Sequence, residues 1–273
     1  MFDCHVHAAP DIVPRIGEDA DILHAYRESG FEGFVLKGHY ESTVGRARAL
    51  ARHGMPVLGG VTLNQAAGGI NPAAVAAALA AGGRVVWMPT ADAHTQERAG
   101  LPRLCDRDAR LERRVFAVPP VEPDAQPVVD LVLALIADHD AVLATGHLSG
   151  PECAWLLKRA RRFGIRRVLL THPSYTVPGL TPAEIGELAE AGGHVEITAY
   201  QLLHQPGCTA ERLAEVARAA ADRLVLSSDA GQPDSPSPPH ALHRLIDELV
   251  AQGLDPGLLR AAASTVPARL FLT

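Results

Sequence analysis

Short apolar runs rich in β-branched residues alternate with Ala-rich stretches along nearly the whole chain. The runs at 2–7, 33–38, 56–62, 84–89, 141–146, 167–171, 194–199 and 223–228 read as strands. Helical patterns lie between them, at 18–29, 42–53, 72–81, 126–138, 151–163, 182–191, 209–221 and 239–251. The punctuation agrees with this division. Asn71-Pro72 places a capping side chain before a proline in the first helical turn. Thr181-Pro182-Ala183-Glu184 is a capping box with the same proline placement. Gly82-Gly83 and Gly192-Gly193 can end helices in the left-handed conformation. Eight strand–helix units in series predict an α/β fold, a closed (β/α)8 barrel with parallel strands inside and helices outside. An open, doubly wound sheet is the alternative that the same units could build.

Two stretches break the rhythm. Residues 90–125 form a long, charged, Pro-containing insertion after strand four, with an extra strand candidate at 114–118. A Pro-rich segment, 232–239, follows the last strand. Both come after strand C-terminal ends, where barrels build their sites, so lids or substrate walls are the functional reading and plain surface excursions the bland one.

The chain has 273 residues and is 47% hydrophobic, enough for one sizeable core, and a single domain over 1–273 is expected. Aromatic residues make up only 4%, which suits close-packed helices on a sheet. The net charge is -6 and the arginines are scattered, so neither a nucleic-acid groove nor a membrane-binding face is expected. No apolar run is long enough to span a bilayer, and the N-terminus lacks the pattern of a signal peptide. Cys4, Cys105, Cys153 and Cys208 have no C-x-x-C spacing, so reduced thiols and a cytoplasmic location are expected.

The chemistry-bearing residues gather at strand ends. Asp3-Cys4-His5-Val6-His7 closes strand one, and alternation projects His5 and His7 to one side, half of a zinc site. Strand five runs into His147, strand six into His172 and strand eight into Asp229. In a barrel these ends converge on one mouth. Buried polar groups there need a partner, and a metal supplies it. Asp3 is expected to point inward with the histidine pair, as an acceptor for a ligating imidazole. Lys37, at the end of strand two, is unusual in an apolar strand because an unpaired buried ammonium is disfavoured. It is assigned to substrate binding first and to a metal bridge second, the bland option being a lysine that snorkels to solvent. His39 and Glu196 join it as substrate-side candidates. Glu196 facing the barrel would touch substrate or a ligand, and facing the helices it would need a partner such as an arginine. Asp92, His94 and His204 follow strand ends and are further pocket candidates, whereas His24, His53 and His243 sit in helical patterns that suit the surface.

The ordered set His5, His7, His147, His172 and Asp229 resembles the amidohydrolase superfamily of metal-dependent TIM-barrel hydrolases. His5-Val6-His7-Ala8-Ala9-Pro10-Asp11 looks most like compact, uncharacterised amidohydrolase-like proteins that open with H-V-H-x-x-P. Binuclear relatives place a carbamylated Lys or a Glu at the end of strand four. Val85-Val86-Trp87-Met88-Pro89-Thr90 offers neither. The resemblance therefore implies one metal held by His5, His7, Asp229 and a later histidine, His147 rather than His172, with His172 orienting the attacking water. Two ions would require a carbamylated Lys37. Zinc is the first expectation, iron or manganese the next. The implied activity is hydrolysis of an amide, cyclic amide, lactone or amidine of a small molecule, with Asp229 as proton carrier. A small-molecule substrate and a homo-oligomer are the expected partners. The alternatives are a decarboxylase of the same superfamily, a non-catalytic metal-binding barrel and a phosphoesterase. The last type also opens with His-x-His but closes with Asp-x-His, which Asp229-Ala230-Gly231 lacks.

Overall fold

In the computed structural model, residues 1–101 and 112–273 are described. The strands are β1 (Phe2–Val6), β2 (Gly33–Leu36), β3 (Val57–Leu58), β4 (Gly60–Thr62), β5 (Val85–Trp87), β6 (Val142–Ala144), β7 (Val168–Leu170), β8 (His194–Thr198) and β9 (Leu224–Ser227). Every strand pairing is parallel, in the orders β1-β2-β3 and β4-β5-β6-β7-β8-β9. β3 and β4 are two halves of one stave interrupted at Gly59. Val6 bridges Ala230 in parallel, the His7 amide donates to Ala230 O at 2.9 Å and the Asp229 amide to His5 O at 2.8 Å. These bonds close the ring between β9 and β1. The fold is a (β/α)8 barrel with short staves.

The helices outside are α1 (Asp19–Glu28), α2 (Val44–Ala51), α3 (Pro72–Ala80), α4 (His94–Arg98), α5 (Gln126–Asp138), α6 (Gly150–Arg162), α7 (Pro182–Glu190), α8 (Ala199–His204), α9 (Ala210–Ala220), α10 (Pro238–Ala251), α11 (Pro256–Ala262) and α12 (Thr265–Phe271). The expected caps form: Asn71 accepts from the Ala73 amide, and Thr181 and Glu184 make the reciprocal capping box. Gly82 and Gly192 take φ of +96° and +107° at the ends of α3 and α7. Four helices lie outside the sequence reading. α4 and α8 are single-turn pieces too short to carry a period, and α11 and α12 follow the last expected unit. The extra strand expected at 114–118 is not a stave: Phe116 makes one isolated bridge to Ala93. Part of that insertion, with Cys105, lies outside the described residues. Among the described residues no helix is long and apolar enough to cross a membrane.

Alternation along the strands divides the core in two. Phe2, Cys4, Val35, Val85, Trp87, Val142, Ala144, Leu169 and Val225 fill the barrel interior. Val6, Phe34, Leu36, Val86, Leu143, Leu170 and Ile197 face the helices. Leu270 and Phe271 of α12 join the interior cluster, with the Phe271 ring 6.1 Å from that of Phe2 at the start of β1. Arg84 Nε donates to Phe271 O at 2.6 Å and ties this plug to the start of β5. The N-terminal end of the barrel is therefore packed shut, and the space left for chemistry is at the C-terminal ends of the strands.

Candidate metal and substrate site

β1 carries a register irregularity: Asp3 pairs with Phe34 but Val6 with Leu36, so three steps on β1 face two on β2. An inserted residue of this kind re-aims the side chains beside it. Cys4 and His5 both turn inward and both reach Glu196 of β8, Cys4 Sγ at 3.9 Å and His5 Nδ1 at 3.1 Å. Asp3 falls on the outer face instead. There the Tyr26 hydroxyl of α1 donates to it at 2.6 Å, and the amides of Ser228 and His5 donate at 3.0 and 3.2 Å. The expectation that Asp3 supports a ligating imidazole is thereby corrected. It is a buried tie between β1, β9 and α1, and burial pushes its carboxyl up to about 6 despite these donors.

The centre of the mouth is Asp229. His5 Nε2 lies 3.0 Å and His7 Nε2 3.2 Å from Asp229 Oδ1, and His172 Nε2 lies 3.8 Å from Oδ2. Burial alone would raise the Asp229 carboxyl, but the imidazoles of His5, His7 and His172 outweigh it and hold the carboxyl well below its usual range. Asp229 and His172 have φ of +48° and +25°, conformations that non-glycine residues keep only where their surroundings over-determine them. The bonds that do so are the Asp229 amide to His5 O and the His172 amide to Glu196 Oε2, the latter at 3.1 Å.

Glu196 explains the orientation of His5. It is fully buried, accepts from Ser227 Oγ at 2.7 Å and accepts a hydrogen bond from His5 Nδ1–H at 3.1 Å. Burial disfavours a charged His5, but the carboxylates of Asp229 and Glu196 prevail and raise its pKa, so its Nε2 faces Asp229 as a proton donor at 3.0 Å. A divalent ion can take the place of that proton, and a carboxylate behind the imidazole is the usual support of a metal-binding histidine. His7 Nδ1 and His172 Nδ1 are also buried without a hydrogen-bond partner. Among the described residues His5, His172 and Asp229 form the group whose ligand atoms all lie within 4.8 Å of one another. The donor set therefore fits a divalent ion. Glu196 is not among the residues lining the cavity, so its assignment to substrate is replaced by this supporting role.

The cavity above the cluster has a volume of about 290 Å³. His7, Lys37, His39, His147, His172 and Asp229 line it, with Gln96, Tyr175, Tyr200 and Gln232 around them and Val13, Pro14, Arg15 and Leu101 contributing from loops. The Lys37 amino group is buried, 3.0 Å from His5 Nε2 and 5.7 Å from the Trp87 ring centroid. Burial lowers its pKa, with Arg15 adding to the effect and Asp229 and Glu196 opposing it. His39 stacks on His7 with ring centroids 5.1 Å apart, and its Nδ1 is 3.0 Å from Thr90 Oγ1. His147 faces the same space but stands outside the tight group: its Nδ1 pairs with Gln96 Oε1 at 3.1 Å, and its ring is 5.1 Å from that of His172. The geometry gathers His172, rather than His147, with His5 and Asp229. Asp92, His94 and His204 do not line the cavity. Asp92 accepts from the Gln65 amide, His94 pairs with Glu152 at 2.7 Å, and His204 with Ser235 at 2.7 Å. His24, His53 and His243 are exposed. Arg15, Gln96, Tyr175 and Tyr200 escape the sequence reading because each lies in a loop or short helix with no period or motif of its own. Their one common signal is that they follow strand ends.

The barrel with its histidine–aspartate cluster at the mouth shares its fold with solved hydrolase barrels. An amidohydrolase from Pseudomonas aeruginosa has TM-score 0.66 and 11% identity over 98% of this chain and 95% of that one. An organophosphorus hydrolase from Deinococcus radiodurans has TM-score 0.60 and 16% identity over 99% and 92%. A mutant PTE-like lactonase from the same organism has TM-score 0.56 and 16% identity over 99% and 95%. Residues 1–196 match the family of unknown function DUF6282, and the chain belongs to that family. The matched region holds every site residue described above up to Glu196, and Asp229 lies beyond it. No curated protein matches the chain.

Proposed function

We propose that this protein is a metal-dependent hydrolase that cleaves a C–N or C–O bond of a small molecule, in an amide, cyclic amide, lactone or amidine. The observation that carries this reading is the 3.0 Å approach of His5 Nε2 to Asp229 Oδ1, backed by Glu196 on His5 Nδ1. His5, His7, His172 and Asp229 would hold the ion, with His147 beside His172 as a further donor. Zinc is the first choice, and iron or manganese follow. A divalent ion there supplies Lewis acidity and lowers the pKa of water toward about 7.

The chain's own residues do the rest. Asp229 Oδ2, on the side of His172, accepts the proton of the attacking water and returns it to the leaving group. Lys37 and His39 face the cavity from the strand-two side and orient the substrate. The solved barrels titled organophosphorus hydrolase and lactonase, which share this fold, support hydrolysis. The test is a panel of lactones, cyclic amides, acylated amines and amidines offered to zinc-loaded protein. Turnover that a chelator abolishes and zinc restores is expected. A protein that holds no transition metal as purified, and takes up none on reconstitution, would overturn the reading.

A further inference from the structure

Arg15 lines the cavity from the loop between β1 and α1, and its side chain is only 4% exposed. The loop is pinned on several sides. Arg46 donates to Pro10 O at 2.9 Å and to Ala8 O at 3.0 Å, the Ile16 amide donates to Gly231 O at 2.8 Å, and the Ala9 amide to Gly17 O at 2.9 Å. Asp11 holds the guanidinium through a single oxygen, Oδ2, which accepts from Nε at 2.7 Å and lies 2.6 Å from Nη2. Asp11 itself does not line the cavity, and among the described residues Nη1 has no partner. A pre-oriented arginine with donors to spare is the residue type best suited to an oxyanion.

The charge of the cavity points the same way. Asp229 is the one carboxylate among the described lining residues, and it is committed to the imidazole cluster. Lys37 adds a buried amino group to the same wall, its hydrogen-bond partner being His5 Nε2 at 3.0 Å. Val13, Pro14, Leu101 and the rings of Tyr175 and Tyr200 provide apolar surface for the rest of a small molecule.

We infer that Arg15 determines the specificity of this cavity by binding an oxyanion, a carboxylate or a phosphate, carried by the substrate. The inference deepens the hydrolase reading and rests on it for the word substrate, but it predicts binding that can be measured without turnover. The probes are glutarate, inorganic phosphate and the neutral diamide glutaramide, titrated calorimetrically into zinc-loaded and into chelator-treated protein. Glutarate or phosphate should bind in preference to glutaramide, and whichever binds more tightly identifies the source of the oxyanion. Arg15→Met should weaken the preferred anion by about 10- to 100-fold, the range for one charge-assisted contact, and leave glutaramide unchanged. Arg15→Lys should retain part of the affinity. Unchanged melting temperatures of both variants show that the loop still folds. Equal anion affinity in Arg15→Met and the parent, or a parent that prefers glutaramide, overturns the inference. The two readings fail separately. Arg15-dependent anion binding in a protein that takes up no metal sinks the hydrolase and keeps the oxyanion site. Metal-dependent cleavage of neutral substrates, indifferent to Arg15→Met, does the reverse.

Discussion

Glu196 on β8 accepts a hydrogen bond from His5 Nδ1 on β1 at 3.1 Å, reaching past β9 inside the barrel. The same carboxylate receives Ser227 Oγ and the His172 amide, so one buried side chain positions residues from three strand ends. Glu196→Gln keeps the shape but removes the charge that fixes the His5 tautomer. Loss of such a partner typically costs about 10–100-fold in metal affinity. Competition with a chromogenic chelator should show a loss of that size, with an unchanged far-UV circular dichroism spectrum. Parental zinc affinity in the variant would refute the proposed support of His5.

Elemental analysis of protein purified without chelator should find close to one equivalent of a transition metal. Chelation should then lower the melting temperature, because an ion that binds only the folded state stabilises it. At a free metal concentration of about 100 times Kd this is worth about 2.7 kcal/mol. A melting temperature that does not respond to chelator or to added zinc would count against the site.

Asp229→Asn should lower turnover by about 10²–10⁴-fold, because an amide oxygen cannot take the proton from water. His172→Asn should reduce metal content as well as rate, since His172 belongs to the tight cluster with His5 and Asp229. The two variants are to be compared by metal content and kcat on whichever substrate the panel identifies. An Asp229→Asn enzyme with normal kcat and full metal would exclude Asp229 as the proton carrier.

Tyr26→Phe removes the hydroxyl that donates to Asp3 at 2.6 Å while leaving the ring between Phe31 and Phe34. The buried carboxyl of Asp3 then keeps only the amides of Ser228 and His5, and loss of the charge-assisted hydroxyl bond costs about 1–3 kcal/mol. Urea denaturation should show a lower midpoint with an unchanged slope. An unaltered midpoint would mean that the Asp3 tie between β1, β9 and α1 contributes nothing to stability.

Gly231 has φ of +139°, and a Cβ built on it would stand 2.2 Å from His7 O. Gly231→Ala must therefore move the backbone at His7 or at the end of β9. Destabilisation of at least about 1–3 kcal/mol is expected, together with weaker metal binding. A variant with parental melting temperature and zinc affinity would contradict the close approach of β9 to β1.

Periodicity along the chain determined much of the architecture. Alternating apolar runs and Ala-rich stretches located the strands and the long helices because burial between two layers selects residue type over several consecutive positions. Strand-end histidines and Asp229 were legible for the same reason, as polar residues where an apolar run stops. Helices α4 and α8 were not, being too short for a period. Which way a side chain points depends on register, and register is a property of pairing. The irregularity opposite Phe34 and Leu36 turns Asp3 outward and Cys4 with His5 inward, against simple alternation. Only the closed ring brings Glu196 under His5, and only the pinned loop turns Arg15 into the cavity. Such contacts join residues 191 positions apart, as His5 and Glu196 are, so no local pattern carries them. They exist because eight staves of a tilted barrel must converge at one mouth.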